Sequence, residues 1–528
     1  SACLVGSEMC IRDRIATSFT GCFGRKKSGE AFSMPIMDEP TSLDPQIADS
    51  NSEKLVAANC YEGLVRIMAD GTIGKGVATD WNISDDGLTY TFKLRNNSHW
   101  AMFSGHKAVL GENYEDTFDI TVKAEDFKFG IERTLSEQTG SADAPLFSAV
   151  KSISTPDDFT IVFNLSYADD NFLYALTNPG AMPCDEEFFK LTNGKYGLDA
   201  KYLLCNGPFH VSKWTEKTSV KLAKNNEYNG ESSVSPSSVT FYINNDDSEV
   251  ADKMNSVTYD VAFLSSSQFS SIENKKDLNS VAVQNVTYSF IFNQNDNNYR
   301  NKNMRLAFCR SCDTSSLFDS QSDISKADGI VPPSCKIGGE DYRNGNAAEL
   351  LSYDETLAKK NFNDALLELG SSSVETTILC TEQYEPFVKQ MVQKLQKTLG
   401  VKFVSTVKVV SESDLEAAVN DGNYSVAFYP FKAKSSFAGE IIEGFDQNNI
   451  FGYESDVLSQ KIRNIKNNSG SLEGERSAVA DAENYLVSEA VIMPVFYENS
   501  YFVTSKKTSG IYFYSSADNV CFINAKKS

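Results

Sequence analysis

Histidine, cysteine, basic charge and long apolar runs are scarce in this chain, and each scarcity removes a class of function. Only three histidines stand among 528 residues (His99, His106 and His210), none in a nucleophile or metal arrangement. The strings G-x-S-x-G, H-E-x-x-H and G-x-x-x-x-G-K-S/T do not occur, so no catalysis, metal or cofactor is expected. No apolar stretch reaches the ~18 residues that a membrane span needs. Eleven cysteines are too few for a disulfide scaffold at this length. Cys309 and Cys312 form a C-x-x-C, but RLAFCRSCD reads as helix and no second pair stands at zinc spacing. Basic residues are outnumbered 49 to 71, and the net charge of −22 argues against nucleic acid or an anionic membrane surface as the main partner. That acidity suits either a well-solvated surface or an attraction for cationic ligands.

What is present points to packed cores. Hydrophobic residues make up 41% and aromatics 11% of the chain, and its length predicts roughly two to four domains. The first third is β-rich. An Asp85-Asp86-Gly87 turn joins two strands within residues 81–94, where Tyr90, Phe92 and Leu94 alternate. A Thr155-Pro156-Asp157-Asp158 turn joins another pair, with Phe159, Ile161, Phe163 and Leu165 alternating. Between them Phe127, Ile131 and Leu135 repeat at helical spacing. Residues 104–120 fit neither period and are expected to form a long surface loop. The later half alternates helix and strand. A capping box at Ser352 and Glu355 opens a helix that ends at Gly370. A strand (374–380), a helix stopped by Gly400, a strand (401–410), a helix opened by Ser411 and a strand (424–431) follow. This order predicts an α/β lobe with a largely parallel sheet. A helix through Ala478, Ala482 and Tyr485 then runs into the strand VIMPVFYENSYFV.

Residues 204–230 read LCNGPFHVSKWTEKTSVKLAKNNEYNG. A Gly-Pro turn enters a strand ending at Trp214, and a second strand carries Val220 and Leu222, which makes a hairpin. Two further blocks accompany it: EPTSLDPQIADSNSEKLVAANCYEGL (39–64), and DWNISDDGLTYTFKLRNNSHW (80–100) continued by VKAEDFKFGIERTL (122–135). In these blocks, in this order, the chain from residue 34 to its end resembles the extracytoplasmic substrate-binding proteins of peptide-type ABC importers, the oligopeptide/dipeptide-binding family. The resemblance implies a mixed α/β, two-lobed periplasmic-binding-protein-like fold. Its hinge would be two crossing strands, residues 286–295 and the final strand, and its first lobe would carry an extra β-rich subdomain. The expected division is a leader and linker (1–31), lobe I in three parts (32–78, 205–284, 495–528) with the β-rich subdomain at 79–204, and lobe II at 285–494.

The leader carries its own signals. Phe19-Thr20-Gly21-Cys22 is similar to the tail of a bacterial lipoprotein signal, with Cys22 as the lipidated residue and an ordinary free cysteine as the alternative. Residues 1–14, SACLVGSEMCIRDR, look like translated sequencing-adapter sequence, and residues 1–21 are set aside from the fold reading. In an oxidising exterior some cysteines could pair, Cys184 with Cys205 among them.

Site residues follow from the resemblance by position. Tyr61 would stand at a strand end facing the cleft, or pack in the lobe core. Ser265 and Ser266 lie in a loop opening on the cleft. Tyr288 and Tyr497 lie on the crossing strands, either flanking ligand or packing the hinge. Tyr429 begins the loop YPFKAKSSFAGE, where several family members hold the peptide α-amine with an aspartate. Here no carboxylate occurs before Glu440, and Lys432 and Lys434 take its place, either to meet a ligand carboxylate or other anionic group or to stand as exposed charges on a lid. The expected function is capture of extracellular peptides for an ABC permease and ATPase, by a monomer lipid-anchored at the cell surface. A non-peptide solute (a nickel complex, an oligosaccharide) or a surface sensor without transport are the alternatives. A Lys432→Ala/Lys434→Ala variant should lose affinity for the cognate ligand by about tenfold or more, measured by titration calorimetry; unchanged affinity would remove both lysines from the site.

Overall fold

The computed structural model describes residues 29–68, 71–230, 232–314, 323–432, 437–446, 449–514 and 520–528. Cys22, Lys434 and the first 28 residues fall outside that set.

Two long strands organise the molecule. Leu278–Phe292 and Ile492–Ser505 pair antiparallel along their whole length, Leu278 opposite Ser505 and Ile291 opposite Ile492. One end of the pair is flanked by Val261–Ser265, which bonds residues 500–504. The other end is flanked by Val426–Lys432, which bonds residues 286–292. The ribbon therefore belongs to one hydrophobic core at each end. Where it passes between them the register slips by one residue at Asn285, a bulge that bends and twists a strand locally. Polar residues gather there, with Gln284 Nε2 donating to Ser325 Oγ and Asn499 Oδ1, each at 2.8 Å.

In the second lobe Val374–Cys380 lies parallel to both Phe403–Val409 and Val426–Lys432. Of the two crossing strands only Leu278–Phe292 runs antiparallel to them, so the sheet is largely parallel with one reversed strand. Strand alternation places Phe290 and Phe428 on one face and Ile291 and Ala427 on the other. Helices Lys302–Ser311, Glu355–Leu369 and Glu385–Leu399 cover the first face; Glu412–Asn420, Asp456–Asn467 and Leu472–Ser488 cover the second. Gly370 ends its helix at φ +64°, a left-handed turn that glycine adopts without strain. The N-cap of that helix is Asp354, accepting from Leu357 N, rather than Ser352.

The first lobe holds a four-stranded sheet (Ala31–Ile36, Ser238–Ile243, Ser219–Lys224, Phe209–Thr215) and a second one of four antiparallel strands between Ala78 and Leu165. Residues 104–120 are not a plain surface loop. They form a tight turn (Ser104–His106) and two short helices, Lys107–Leu110 and Tyr114–Thr117. His106 is buried against the rings of Phe103 and Phe188, with Nε2 at 3.1 Å from Leu203 O, and burial pulls its pKa down to about 4. A single aromatic anchor thus orders a segment that has no periodic pattern. The cysteine pairing is likewise corrected. All eight described cysteines are free thiols; Cys205 lies beside Cys60, and Cys184 sits 3.6 Å from the Arg133 guanidinium.

A buried ion pair supports the second crossing strand from below. Glu483, 1% exposed in its side chain, accepts from Arg343, Tyr342 Oη and the amides of Ile330 and Val331. Tyr497 Oη accepts in turn from Asp328 N at 3.1 Å. Removing one partner of such a pair strands a buried charge, so Arg343→Met should cost ~3–5 kcal/mol in urea unfolding. The Arg343→Met/Glu483→Met pair should recover much of that loss.

Candidate functional site

Between the lobes lies a cavity of about 810 Å3. The first lobe contributes Lys54, Asp143, Leu146, Tyr167, Asp169 and Asn171; the second contributes Tyr429, Phe431, Lys432, Glu440, Glu443, Phe445, Phe451, Lys466, Ser469 and Glu475. One wall is apolar. Phe445 and Phe451 stack at 4.4 Å with their planes 4° apart, and Phe431 lies 5.7 Å from Phe451. Tyr429 and Phe431 reach this wall because they alternate with Phe428 along Val426–Lys432, whose other face feeds the core with Tyr288.

The polar rim is mostly acidic. Lys54 pairs with Asp143 at 3.8 Å within the first lobe, and Lys466 with Glu443 at 3.7 Å within the second. Facing each other across the lobe boundary are Asp169 and Asp170 on one side, Glu443 and Glu475 on the other. Burial, and after it the charges of Asp169, Asp170 and Glu443, push Glu475 up to about 8. Burial is also the main cause that lifts Asp169 to about 6, with Asp170 and Glu443 adding to it. Among the described residues no cluster of three or more His, Cys, Asp or Glu side chains could hold a metal ion.

The lobes meet beside this rim. Asn171 stands at the N-cap of the turn of helix Phe172–Ala175 yet makes no capping bond with its side chain. Instead Nδ2 donates to both Glu475 oxygens at 2.9 and 2.8 Å, and Oδ1 accepts from Gly338 N at 3.0 Å. Asp170 N donates to Ser469 O at 2.6 Å, and Ser469 Oγ to Ala168 O at 2.8 Å. Gly339, at φ +83°, presses so close to Tyr174 that any Cβ there would overlap its hydroxyl.

Of the residues singled out from the sequence, Tyr429 and Lys432 line the cavity and Lys434 lies outside the described residues. Five others stand elsewhere. Tyr61 is 4% exposed in the first-lobe core, its hydroxyl 3.3 Å from that of Tyr196. Ser265 caps the helix Ser266–Ser271, and Ser266 Oγ donates to Asn499 O in the hinge. Tyr288 packs among Tyr384, Phe428 and Phe496, and Tyr497 is the buried strut already described. Aromatics of the crossing strands are drawn into the lobe cores because the ribbon is covered on both faces. Lys54, Asp143, Asp169, Asn171, Glu443 and Glu475 carried no signal in the sequence; the run Ala-Asp-Asp-Asn at 168–171 reads only as turn chemistry.

Two cores joined by a doubled strand, with an aromatic-walled cavity between them, define a two-lobed ligand-binding protein rather than a single-core domain. The chain belongs to the bacterial extracellular solute-binding proteins, family 5, whose description matches residues 72–451. It is 24% identical over 497 residues to the dipeptide-binding protein DppE of Bacillus subtilis, covering 90% of this chain and 88% of that one. It is 26% identical to the oligopeptide-binding protein OppA of the same organism, over 71% and 70% of the two chains. Its fold is similar to Listeria monocytogenes OppA bound to peptide (TM-score 0.74, 20% identity, 95% of this chain and 100% of that one). It is also similar to a dipeptide-binding protein from Pseudoalteromonas in complex with Met-Leu (TM-score 0.75, 18% identity, 94% and 100%). Tyr429→Ala should weaken binding of the cognate ligand by about tenfold or more, while Tyr61→Phe should change it less than about twofold, both by calorimetry.

Proposed function

We propose that this chain captures short peptides in the cavity between its lobes and delivers them to an ABC permease and its ATPase. The observation that carries the reading is the cavity itself: a space of about 810 Å3 between the lobes with a stacked phenylalanine wall and charges of both signs at its rim. A peptide is apolar in its side chains and charged at its two ends, and this surface offers a match to each part. The α-ammonium lacks a partner in residues 429–439, but Asp169 from the first lobe and Glu443 from the second bring carboxyls to the cavity wall. Lys54, Lys432 and Lys466 are the cations on the cavity wall that a carboxylate could approach. Family membership and the peptide-binding names of the relatives support the same reading.

The chain acts by binding, with no chemical step, and works as a monomer outside the cytoplasmic membrane. Among the described residues no helix is long and apolar enough to cross a membrane, and Cys22 is the proposed site of a lipid anchor. Ligand works by favouring the closed lobes, since only differential affinity shifts such an equilibrium. A mixture of di- to pentapeptides at ~100 times the Kd should therefore add about 2.7 kcal/mol to stability and raise the Tm by several degrees. The absence of any shift across a broad peptide screen would sink the peptide reading, and ligand recovered from native cells and weighed by mass spectrometry would identify what replaces it.

A further inference from the structure

The contact that holds the lobes shut is built on like charges. Glu475 of the helix Leu472–Ser488 is 5% exposed, and both its oxygens accept from the amide nitrogen of Asn171 in the opposite lobe. The groups that press on its charge are Asp169 and Asp170 from the first lobe and Glu443 from the helix Ala438–Glu443. Nearby bases are engaged with other acids: Lys466 lies 3.7 Å from Glu443, Lys336 2.6 Å from Asp341, and Arg476 3.4 Å from Glu340. A neutral amide from Asn171 cannot offset a buried carboxylate set among three others.

We infer that the Asn171–Glu475 contact is a proton-linked latch: the empty protein closes its lobes by taking up a proton at this corner. The protonated carboxyl still accepts from Asn171 through its carbonyl oxygen, so the latch survives neutralisation while the repulsion does not. When the lobes part, Glu475 meets water and returns to the ordinary glutamate value of about 4.3. Its value in the closed form, about 8, is higher. The closed form therefore binds the extra proton. Closure is hindered above about pH 8, gains as pH falls from there toward about 4.5, and gains nothing further below that, where both forms are protonated.

The inference rests on the lobes acting as a clamp but not on what the clamp holds, so its test needs no ligand. Single-molecule energy transfer between dyes on exposed Leu198 of the first lobe and Leu367 of the second reports closure in the ligand-free protein. Between pH 8.5 and pH 6 the ratio of closed to open molecules should rise more than tenfold. Glu475→Gln keeps an acceptor for Asn171 and removes the charge; its closed fraction should be raised at pH 8.5 and nearly independent of pH. Asn171→Ala should stay more open than the parent at every pH. A parent whose closed fraction ignores pH, or a Glu475→Gln variant with the parent's pH profile, would overturn the latch. Neither result bears on peptide binding, which the thermal screen reads separately.

Discussion

The antiparallel pairing of Leu278–Phe292 with Ile492–Ser505 is the constraint from which the rest of the molecule follows. Backbone hydrogen bonds hold the two strands together from one core to the other, so neither lobe can move without bending the same ribbon. Each end is clamped by a flanking strand and by side chains buried on both faces. The register slips between the two ends, at Asn285 and again at Val495, and the first of these stretches, around Asn285 and Asn499, is lined with polar neighbours. A hinge made this way permits rotation of two rigid bodies and little else, which is the motion that opens and closes a cleft.

The cavity inherits its chemistry from that geometry. Because the crossing strands are sandwiched, their aromatics serve the cores, and the aromatic wall is instead assembled from the strand Val426–Lys432 and from Phe445 and Phe451 of the same lobe. The phenylalanine stack belongs to one lobe, but the acidic corner belongs to neither: Asp169 and Asp170 come from one side, Glu443 and Glu475 from the other. Electrostatic cost therefore increases when the lobes meet. Whatever positive charge enters that corner, from a solute or as a proton, acts on the closing equilibrium directly.

Much of the fold was legible in the chain. The helix ending at Gly370, the strand Val374–Cys380, the helix opened by Ser411 and the hairpin Phe209–Lys224 all rest on local signals: apolar period, caps and turn residues. The failures have identifiable causes. Residues 104–120 lack a period yet are ordered by His106 and Phe188, which are distant in sequence. Asp354 displaced Ser352 as cap because either residue type can serve and only the chain path selects one. At the site, Tyr429 and Lys432 were reachable because they follow a recognisable strand; Asn171 and Glu475 were not, being 304 residues apart and joined only across the closed cleft.

The amino-acid sequence by itself determined the elements and the acidity of the whole, since these depend on period, composition and order along the chain. The two-lobed class and the doubled strand between the lobes came with the family resemblance carried by residues 39–64, 80–135 and 204–230. Only the tertiary structure decided which side chains face the ligand space and which vanish into a core. That choice depends on the angle at which two rigid bodies meet, a quantity to which no local pattern of residues refers.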